Sequence, residues 1–173
     1  MDFFKLGNKY VYFHTVFFTQ YKDFTIIDKL RKEFPDSFIQ ALNVDIIYNY
    51  EHLFEILRLS NLAKRRNIMC SHKIELDFLL RVMATNQISQ AIRDGGLNIG
   101  QYVTFVVLAN KSHTHKIYQK LGFLFGNSHD EFFTDKVILR KKIEIYKIKY
   151  NNDFINEENT IKFLTEKAAL VIK

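Results

Sequence analysis

Apolar positions along the chain follow two periods, and together they predict an alternation of strands and helices. Runs rich in aromatic and β-branched residues predict strands at 10–18 (YVYFHTVFF), 38–47 (FIQALNVDII, with the exit from the strand) and 102–108 (YVTFVVL). The last of these is the clearest buried strand. An apolar run near the C-terminus, AALVI (168–172), predicts a final strand.

Helical spacing of apolar residues accounts for most of the remaining chain. The predicted helices cover 25–34, roughly 50–64, 72–83, 114–123, much of 131–147 and a segment that begins at Asn156. Pro35 ends the first of them, and Gly122 is expected to end the helix at 114–123. The pattern predicts an α+β fold, with one domain over residues 1–173 and a small mixed sheet of about four strands packed against several helices.

The stretch LLRVMATNQISQAIRDGGL, residues 79–97, predicts two short helices hinged at Thr85-Asn86. The first helix is apolar on most sides, so it must be buried inside the protein or against a partner. Its main polar stripe is Lys73, Asp77 and Arg81, in which Arg81 either pairs with Asp77 or reaches a ligand. Thr85 is placed to cap the second helix, and Gly95-Gly96 ends it.

The second of these helices carries Ile88, Ala91 and Ile92 on one face. These residues are either ordinary core or a docking face for another protein, and the sequence leaves both interpretations open.

Charge is distributed unevenly along the chain. The 173 residues carry a formal net charge of +6, and the segment 56–74 has no acidic residue. Its basic residues are Arg58, Lys64, Arg65, Arg66 and Lys73. A second basic run starts at 140–142 and continues to Lys147 and Lys149. Each run is either a solvated surface or a contact surface for an acidic partner.

The sequence contains no recognisable catalytic arrangement. His113 and His115 are two residues apart and therefore point to different sides of a helix, so they do not predict a metal site. The segment GGLNIG (95–100) fits neither the dinucleotide fingerprint nor a P-loop. Cys70 is more typical of a small core residue than of a nucleophile. We therefore expect no catalytic residue, no cofactor and no bound metal.

The cellular setting follows from cysteine use and hydropathy. The single cysteine excludes an internal disulfide and fits a reducing cytosol, which predicts a cytoplasmic protein. No apolar run reaches the length of about 18 residues that spans a bilayer, so no membrane partner is expected.

One segment resembles an enzyme family. VVLANKSHTHKIYQKLGF (106–123) is similar to the strand, asparagine and helix of GCN5-related N-acetyltransferases, with Asn110, Tyr118, Gly122 and Phe123 at the matching positions. In that family a glycine-rich loop that opens a helix binds the pyrophosphate of the acyl carrier. Here RDGGLNIG (93–100) follows a predicted helix, and its glycines are differently spaced. The acetyltransferase is the alternative interpretation.

A broader resemblance covers the chain from about residue 38 onward. LDFLLRVMATNQISQAIRDGGL resembles the central signature of the small kinase-binding subunit of the KEOPS complex, which makes threonylcarbamoyladenosine in tRNA. Its matching positions are Asp77, Arg81, Gln87, Ile88, Ala91, Ile92 and Gly96. The flanking segments FIQALNVDII, HLFEIL (52–57), IEIYKI (143–148) and EKAALVI (166–172) follow in the order of the family.

This resemblance implies a non-catalytic adaptor. In the family, the subunit binds and stimulates a small atypical protein kinase that acts as an ATPase, and it binds the single-stranded 3′ end of tRNA. The resemblance and the apolar face together suggest kinase binding through Ile88, Ala91, Ile92 and Gly96. The basic residues suited to tRNA phosphates are Lys64, Arg65, Arg66, Lys73 and Arg81.

Overall fold

The computed structural model of the protein describes residues 3–19 and 25–171 and has the predicted α+β class. Four strands lie in this range: β1 (Phe4–Leu6), β2 (Lys9–Phe18), β3 (Phe38–Asn43) and β4 (Gln101–Ala109). The described helices are α1 (Ile26–Glu33), α2 (Tyr50–Arg65), α3 (Ile74–Met83), α4 (Ile88–Gly95), α5 (Lys111–Phe125), α6 (Glu131–Thr134), α7 (Lys136–Tyr150) and α8 (Thr160–Ala169). A 3₁₀ turn, Val44–Ile46, follows β3.

The four strands form one sheet in the order β1-β2-β4-β3. Every pairing among them is antiparallel, where the sequence analysis expected a mixed sheet. Strand β4 lies in the interior of the sheet, and its consecutive residues Thr104 and Phe105, which point to opposite faces, are both fully buried. Burial on both faces explains why β4 is a nearly continuous apolar run rather than an alternating one.

The chain divides into two compact units, each built from two segments. The first unit is Met1–Val44 with Asp94–His129, and the second is Asp45–Arg93 with Asp130–Lys173. The assignment of all 173 residues to a single domain stays a prediction.

The first unit contains the sheet, α1 and α5. Its core includes Phe18, Leu30, Phe105 and Ile117, all inaccessible to solvent. Helix α1 is also held to β3 by Arg31, whose Nε and Nη2 donate to the carbonyl oxygen of Ile39 at 3.0 and 2.8 Å.

The second unit is helical. Helices α2, α3 and α8 pack against one another, and α6 packs against α7. A separate apolar cluster joins the start of the unit to α7 and α8, and its buried members are Tyr48, Ile143, Tyr146, Ile155 and Leu164. Among the described residues there is no helical segment with the length and apolar content needed to traverse a bilayer.

Of two predicted elements at the C-terminal side, one was wrong and the other starts later than the beginning of its predicted range. The run 168–172 is not a strand, because α8 continues to Ala169 and its Ala168 is fully buried; residue 172 lies outside the described residues. A short apolar run fits a buried helix end as well as a strand, so periodicity alone does not separate them. The helix expected over much of 131–147 is α7, which the short α6 precedes. Asp135 Oδ1 accepts from the N–H groups of Val137 and Ile138 and thereby starts α7.

Two turns also differ from the expectation. Helix α5 does not end at Gly122 but continues to Phe125, where Gly126 adopts φ +82°. The fourth strand is β1, which pairs with β2 through a Gly7-Asn8 turn in which Gly7 has φ +64°. Gly122 lies in ordinary helical geometry, so nothing at that position breaks the helix.

A buried lysine holds two parts of the second unit together. Lys142 on α7 is 6% exposed, and its Nζ donates to the carbonyl oxygens of Ile47 at 2.7 Å and Phe132 at 3.2 Å. The same ammonium group lies 4.7 Å from the centroid of the Phe133 ring. Burial lowers the pKa of Lys142 to about 8, against the opposing effect of the Asp45 carboxylate.

The buried His52 is neutral at pH 7. Its Nδ1 accepts from the N–H of Tyr48 at 3.3 Å, and the residue is 1% exposed. Burial, with the positive charges of Lys142 and Lys149, lowers its pKa from 6.5 to about 3. The unfolded chain therefore binds a proton at His52 between these two pH values, and the folded protein does not.

We expect this difference to make the protein sensitive to acid. As the pH falls from 6.5 towards 3, His52 should lower the unfolding free energy by up to about 1.4 kcal/mol per pH unit. Urea unfolding at pH 7.5, 6 and 5 measures this slope. His52→Asn should flatten it, while the same change at the exposed His72 should leave it unaltered. Equal slopes for the original protein and His52→Asn would contradict the assignment.

Candidate functional site

The connection between α2 and α3 carries exposed cations at both ends. Lys64 and Arg65 lie in the last turn of α2, Arg66 follows as its C-cap, and Lys73 is the N-cap of α3. All four side chains are exposed. We call residues Lys64–Lys73 the basic loop. The position of its first three cations at a helix C-terminus is electrostatically favourable.

The cations of the basic loop lack carboxylate partners. Within residues 3–19 and 25–171, the side chains of Lys64, Arg65, Arg66 and Lys73 make no ion pair and no hydrogen bond. Arg58, which the sequence grouped with them, is different because its Nε lies 2.9 Å from Glu55 Oε2. The acid-free stretch therefore presents its charge at the loop rather than along α2.

The backbone of the basic loop turns sharply at its start. Asn67 has φ 56°, and the N–H of Ile68 donates to the carbonyl oxygen of Ala63 at 3.0 Å, which closes the end of α2. The Ile68 side chain is 63% exposed beside the cations. The loop thus offers positive charge together with one exposed apolar side chain.

A buried ion pair lies directly behind this loop. Arg81 Nε donates to Asp77 Oδ2 at 2.9 Å, and the two side chains are 6% and 0% exposed. Arg81 Nη1 donates to the carbonyl oxygen of Ala168 at 3.0 Å, and Nη2 contacts Cys70 Sγ at 3.6 Å. Each guanidinium nitrogen therefore has a partner inside the second unit.

This geometry corrects the prediction that Arg81 contacts tRNA. Of the two interpretations that the sequence allowed, the pairing with Asp77 is the one observed. A guanidinium that is 6% exposed and fully engaged has no surface to offer to a phosphate or a base. Arg81 is a positioning residue, while Lys64, Arg65, Arg66 and Lys73 remain candidates for contact.

The same pair fixes the middle of the basic loop. The other oxygen of Asp77, Oδ1, accepts from the N–H of Cys70 at 2.7 Å. The Cys70 thiol in turn donates to the carbonyl oxygen of Val171 at 3.0 Å. Cys70 is thus a structural residue that links the basic loop to the end of α8.

Helix α4 exposes two of the three apolar residues predicted for partner binding. Ile88 and Ile92 are 47% and 55% exposed, and their spacing of four residues places them side by side. Ala91 is fully buried and Gly96 is buried. Of the four residues predicted to bind the kinase, Ile88 and Ile92 are therefore accessible to a partner. Ala91 belongs to the core, and Gly96 offers no exposed side chain.

Thr85 contacts the segment that leads into α4, but Gln87 holds the N-cap position that the sequence assigned to Thr85. Thr85 Oγ1 accepts from the N–H of Gln87 at 3.2 Å and donates to Gln90 Oε1 at 3.2 Å. The preceding Ala84 has φ 50°, which ends α3 and changes the direction of the chain. The helix that carries Ile88 and Ile92 is therefore held in a defined orientation at its first turn.

The positions that match the acetyltransferase segment have local structural roles. Asn110 caps α5 by accepting from the N–H of His113 at 2.9 Å, and Tyr118 packs edge-on against Tyr12 at 5.2 Å. Phe123 is 90% exposed. The glycine-rich segment runs from α4 into β4, so it precedes a strand and does not open a helix.

The two neighbouring histidines of α5 do not converge. His113 packs against the Phe34 ring at 5.3 Å, and His115 lies 6.2 Å from the Tyr118 ring. Among the described residues there is no group of three or more histidine, cysteine or acidic side chains that could hold a metal ion.

Comparison with known proteins does not assign this chain to a family. No model of a known protein family matches the chain, and no curated protein matches it either. The functional interpretation therefore depends on the residues and their geometry.

We expect the Asp77–Arg81 pair to be essential for stability. Asp77→Asn keeps the oxygen that accepts from Cys70 but leaves the Arg81 charge uncompensated, which should lower the unfolding free energy by about 3–5 kcal/mol. Chemical denaturation measures the change. The control Glu75→Gln removes a charge from the same helix outside the pair and should alter stability by no more than about 0.5 kcal/mol. An Asp77→Asn protein as stable as the original would contradict this role.

Proposed function

We propose that this protein is a non-catalytic subunit of the KEOPS complex that modifies tRNA with threonylcarbamoyladenosine. In this role it binds the small atypical kinase of the complex, stimulates its ATP hydrolysis and recruits tRNA through the single-stranded 3′ end. The observation that carries the proposal is a cluster of four exposed cations without carboxylate partners, in the part of the chain that resembles the family. The exposed pair Ile88 and Ile92 gives additional support.

The basic loop suits the backbone of a flexible RNA strand. Binding of phosphates to Lys or Arg releases condensed counterions, which supplies affinity without a requirement for sequence. Cations already paired with carboxylates would gain less, and Lys64, Arg65, Arg66 and Lys73 have no such partners in the described residues. The exposed Ile68 side chain offers an apolar contact for an unstacked base.

The first turns of α4 suit a protein partner. Ile88 and Ile92 form an exposed aliphatic pair on a helix whose start is fixed by Thr85. Burial of such side chains at the centre of an interface contributes affinity, and a charge placed there would be buried without a partner. In this proposal α4 contacts the kinase, and the basic loop contacts the RNA.

The acetyltransferase remains the second candidate. The resemblance to that family implies an opening between parallel strands beside a loop that starts a helix. The pairings β1–β2, β2–β4 and β3–β4 are all antiparallel, which favours the adaptor. The two candidates differ in acetyl-CoA turnover by the pure protein, which only the acetyltransferase predicts.

The adaptor would act in the cytoplasm, where a lone Cys70 stays reduced.

Reversal of charge at the basic loop should weaken RNA binding. We expect the triple variant Lys64→Glu, Arg65→Glu, Arg66→Glu to bind tRNA at least about tenfold more weakly, roughly 1.4 kcal/mol, and with a shallower salt dependence. Filter binding or fluorescence anisotropy at several salt concentrations measures both effects. Kinase binding should survive, because α4 is unchanged.

A charge-matched control distinguishes local contact from net charge. Lys32→Glu, Lys111→Glu, Lys116→Glu reverses three exposed lysines of the first unit and, like the loop variant, lowers the formal net charge from +6 to zero. It should retain most of the affinity.

A tRNA trimmed of its 3′ tail should bind poorly to the original protein. Equal binding of trimmed and intact tRNA would show that the 3′-end proposal is wrong.

Substitution on α4 should separate docking from folding. Ile92→Glu places a charge on a side chain that is 55% exposed in the free protein, so the fold should tolerate it. In the complex the charge would be buried without a partner, and we expect affinity for the purified cognate kinase to fall at least about a hundredfold. Calorimetry measures the loss, and stimulation of ATP hydrolysis should disappear with it.

Two further variants complete this test. Phe123→Glu introduces the same charge at an exposed position of α5 and should leave kinase binding intact. Ala91→Glu introduces it in the core and should unfold the protein. If Ile92→Glu remains folded and binds the kinase normally, the docking surface lies elsewhere.

A further inference from the structure

Helix α7 presents aliphatic side chains on its outer face. Val137, Ile145 and Ile148 are 63%, 58% and 83% exposed. Their spacings of eight and three residues place them along one side of the helix, over about 16 Å of its length. We call these three residues the α7 stripe.

The α7 stripe is not part of the core of the second unit. The opposite side of the same helix supplies the buried residues, with Lys142, Ile143 and Tyr146 each no more than 6% exposed. A surface helix normally carries polar residues on its outer face. Three strongly exposed aliphatic residues in one line indicate a surface that another molecule covers.

The charges around the α7 stripe are mainly positive. Lys141 lies in line with it, four residues from both Val137 and Ile145, and Lys136 and Lys149 are also exposed. Arg140 is exposed too, but its Nε is paired with Glu157 Oε1 at 2.8 Å. The single acidic residue of α7, Glu144, is paired with Lys147 at 2.8 Å. Six of the seven charged residues of α7 are basic. This is the second basic run of the sequence, which the proposed function leaves without a role.

We propose that the α7 stripe docks an amphipathic helix of a partner protein whose apolar seam is bordered by carboxylates. A straight helix that displays apolar residues at helical spacing is complementary to a second helix with the same repeat. Carboxylates on the partner would pair with Lys141 and its neighbours, and would exclude basic helices by repulsion. This proposal uses different residues from the basic loop and α4, so it stands apart from the proposed function.

Other occupants fit the same surface less well. A second copy of this chain would bring two basic α7 helices together, and like charges across an interface are unfavourable. A nucleic acid would leave the three aliphatic side chains exposed. Helices that bind membranes use bulky apolar and aromatic side chains, and the α7 stripe carries no aromatic residue.

Two matched synthetic peptides test the proposal. Each is an 18-residue helix with leucine along one seam, bordered by glutamate in one peptide and by lysine in its twin. We expect the full-length protein to bind the glutamate peptide at least about tenfold more tightly than the lysine twin, as measured by fluorescence anisotropy. Ile145→Ser, Ile148→Ser should abolish most of this binding, while Phe123→Ser, at an equally exposed position of α5, should not.

A charge swap makes the test specific. Lys141→Glu should reduce the preference for the glutamate peptide at least about tenfold and improve binding of the lysine twin. Circular dichroism should show unchanged folding, because every substituted side chain is exposed. Equal binding of both peptides, or no effect of the isoleucine changes, would overturn the proposal.

A membrane or a second copy of the chain, as the occupant of the α7 stripe, would each give a different experimental result. The α7 stripe would be a membrane-binding surface if the original protein sediments with phosphatidylserine vesicles, the isoleucine variant does not, and neither peptide is preferred. The α7 stripe would bind a second copy of this chain if the original protein associates with itself as its concentration rises and the isoleucine variant does not. Either result would replace the proposed partner.

Discussion

The ion pair between Asp77 and Arg81 organises the helical unit. Both side chains are almost inaccessible to solvent, and removal of two charges from water is costly unless each of them is fully hydrogen-bonded. The structure meets this requirement with groups from three different segments. Asp77 accepts from the backbone of Cys70, and Arg81 donates to the carbonyl oxygen of Ala168. The pair therefore couples α3, the basic loop and the end of α8, and none of these can move far without exposing an unpaired charge.

This coupling explains how a flexible-looking connection becomes a defined surface. A loop between two helices would ordinarily sample many conformations, with a corresponding entropy cost on binding. Here Cys70 is tied to Asp77 and to Val171, and the end of α2 is closed by Ile68. The exposed cations at the two ends of the loop are consequently presented by fixed supports. Such preorganisation would lower the entropy cost of binding RNA in the role we propose, because the protein loses little freedom of its own.

The helices of the protein differ in whether they expose apolar side chains to solvent. In α3 every side chain from Asp77 to Met83 is buried, so this part of the helix supports the fold. Helices α4 and α7 differ, since each buries one side and exposes isoleucines on the other. We propose a different partner for each of these two faces.

The sequence alone determined the class of the fold and most of its elements. Strands β2, β3 and β4 and helices α1 and α2 lie where apolar period, β-branched residues and Pro35 predicted them, because these signals are local. The end of α4 at Gly95 was also predictable from residue type. The candidate basic residues at 64–66 were identified from an acid-free stretch, which is again a property of the sequence.

Tertiary structure decided burial and partner choice. An Asp and an Arg four residues apart have the same spacing on a surface helix and on a buried one. The packing of α2 and α8 against α3 decided that this helix is buried and that Arg81 is inaccessible. Likewise Ala91 and Ile92 are adjacent in sequence, yet one is core and the other is exposed. The run 168–172 was apolar enough for a strand, but its Ala168 belongs to a helix whose end accepts from Arg81. Periodicity reports which residues share a face, whereas the elements that pack around them determine which face meets solvent.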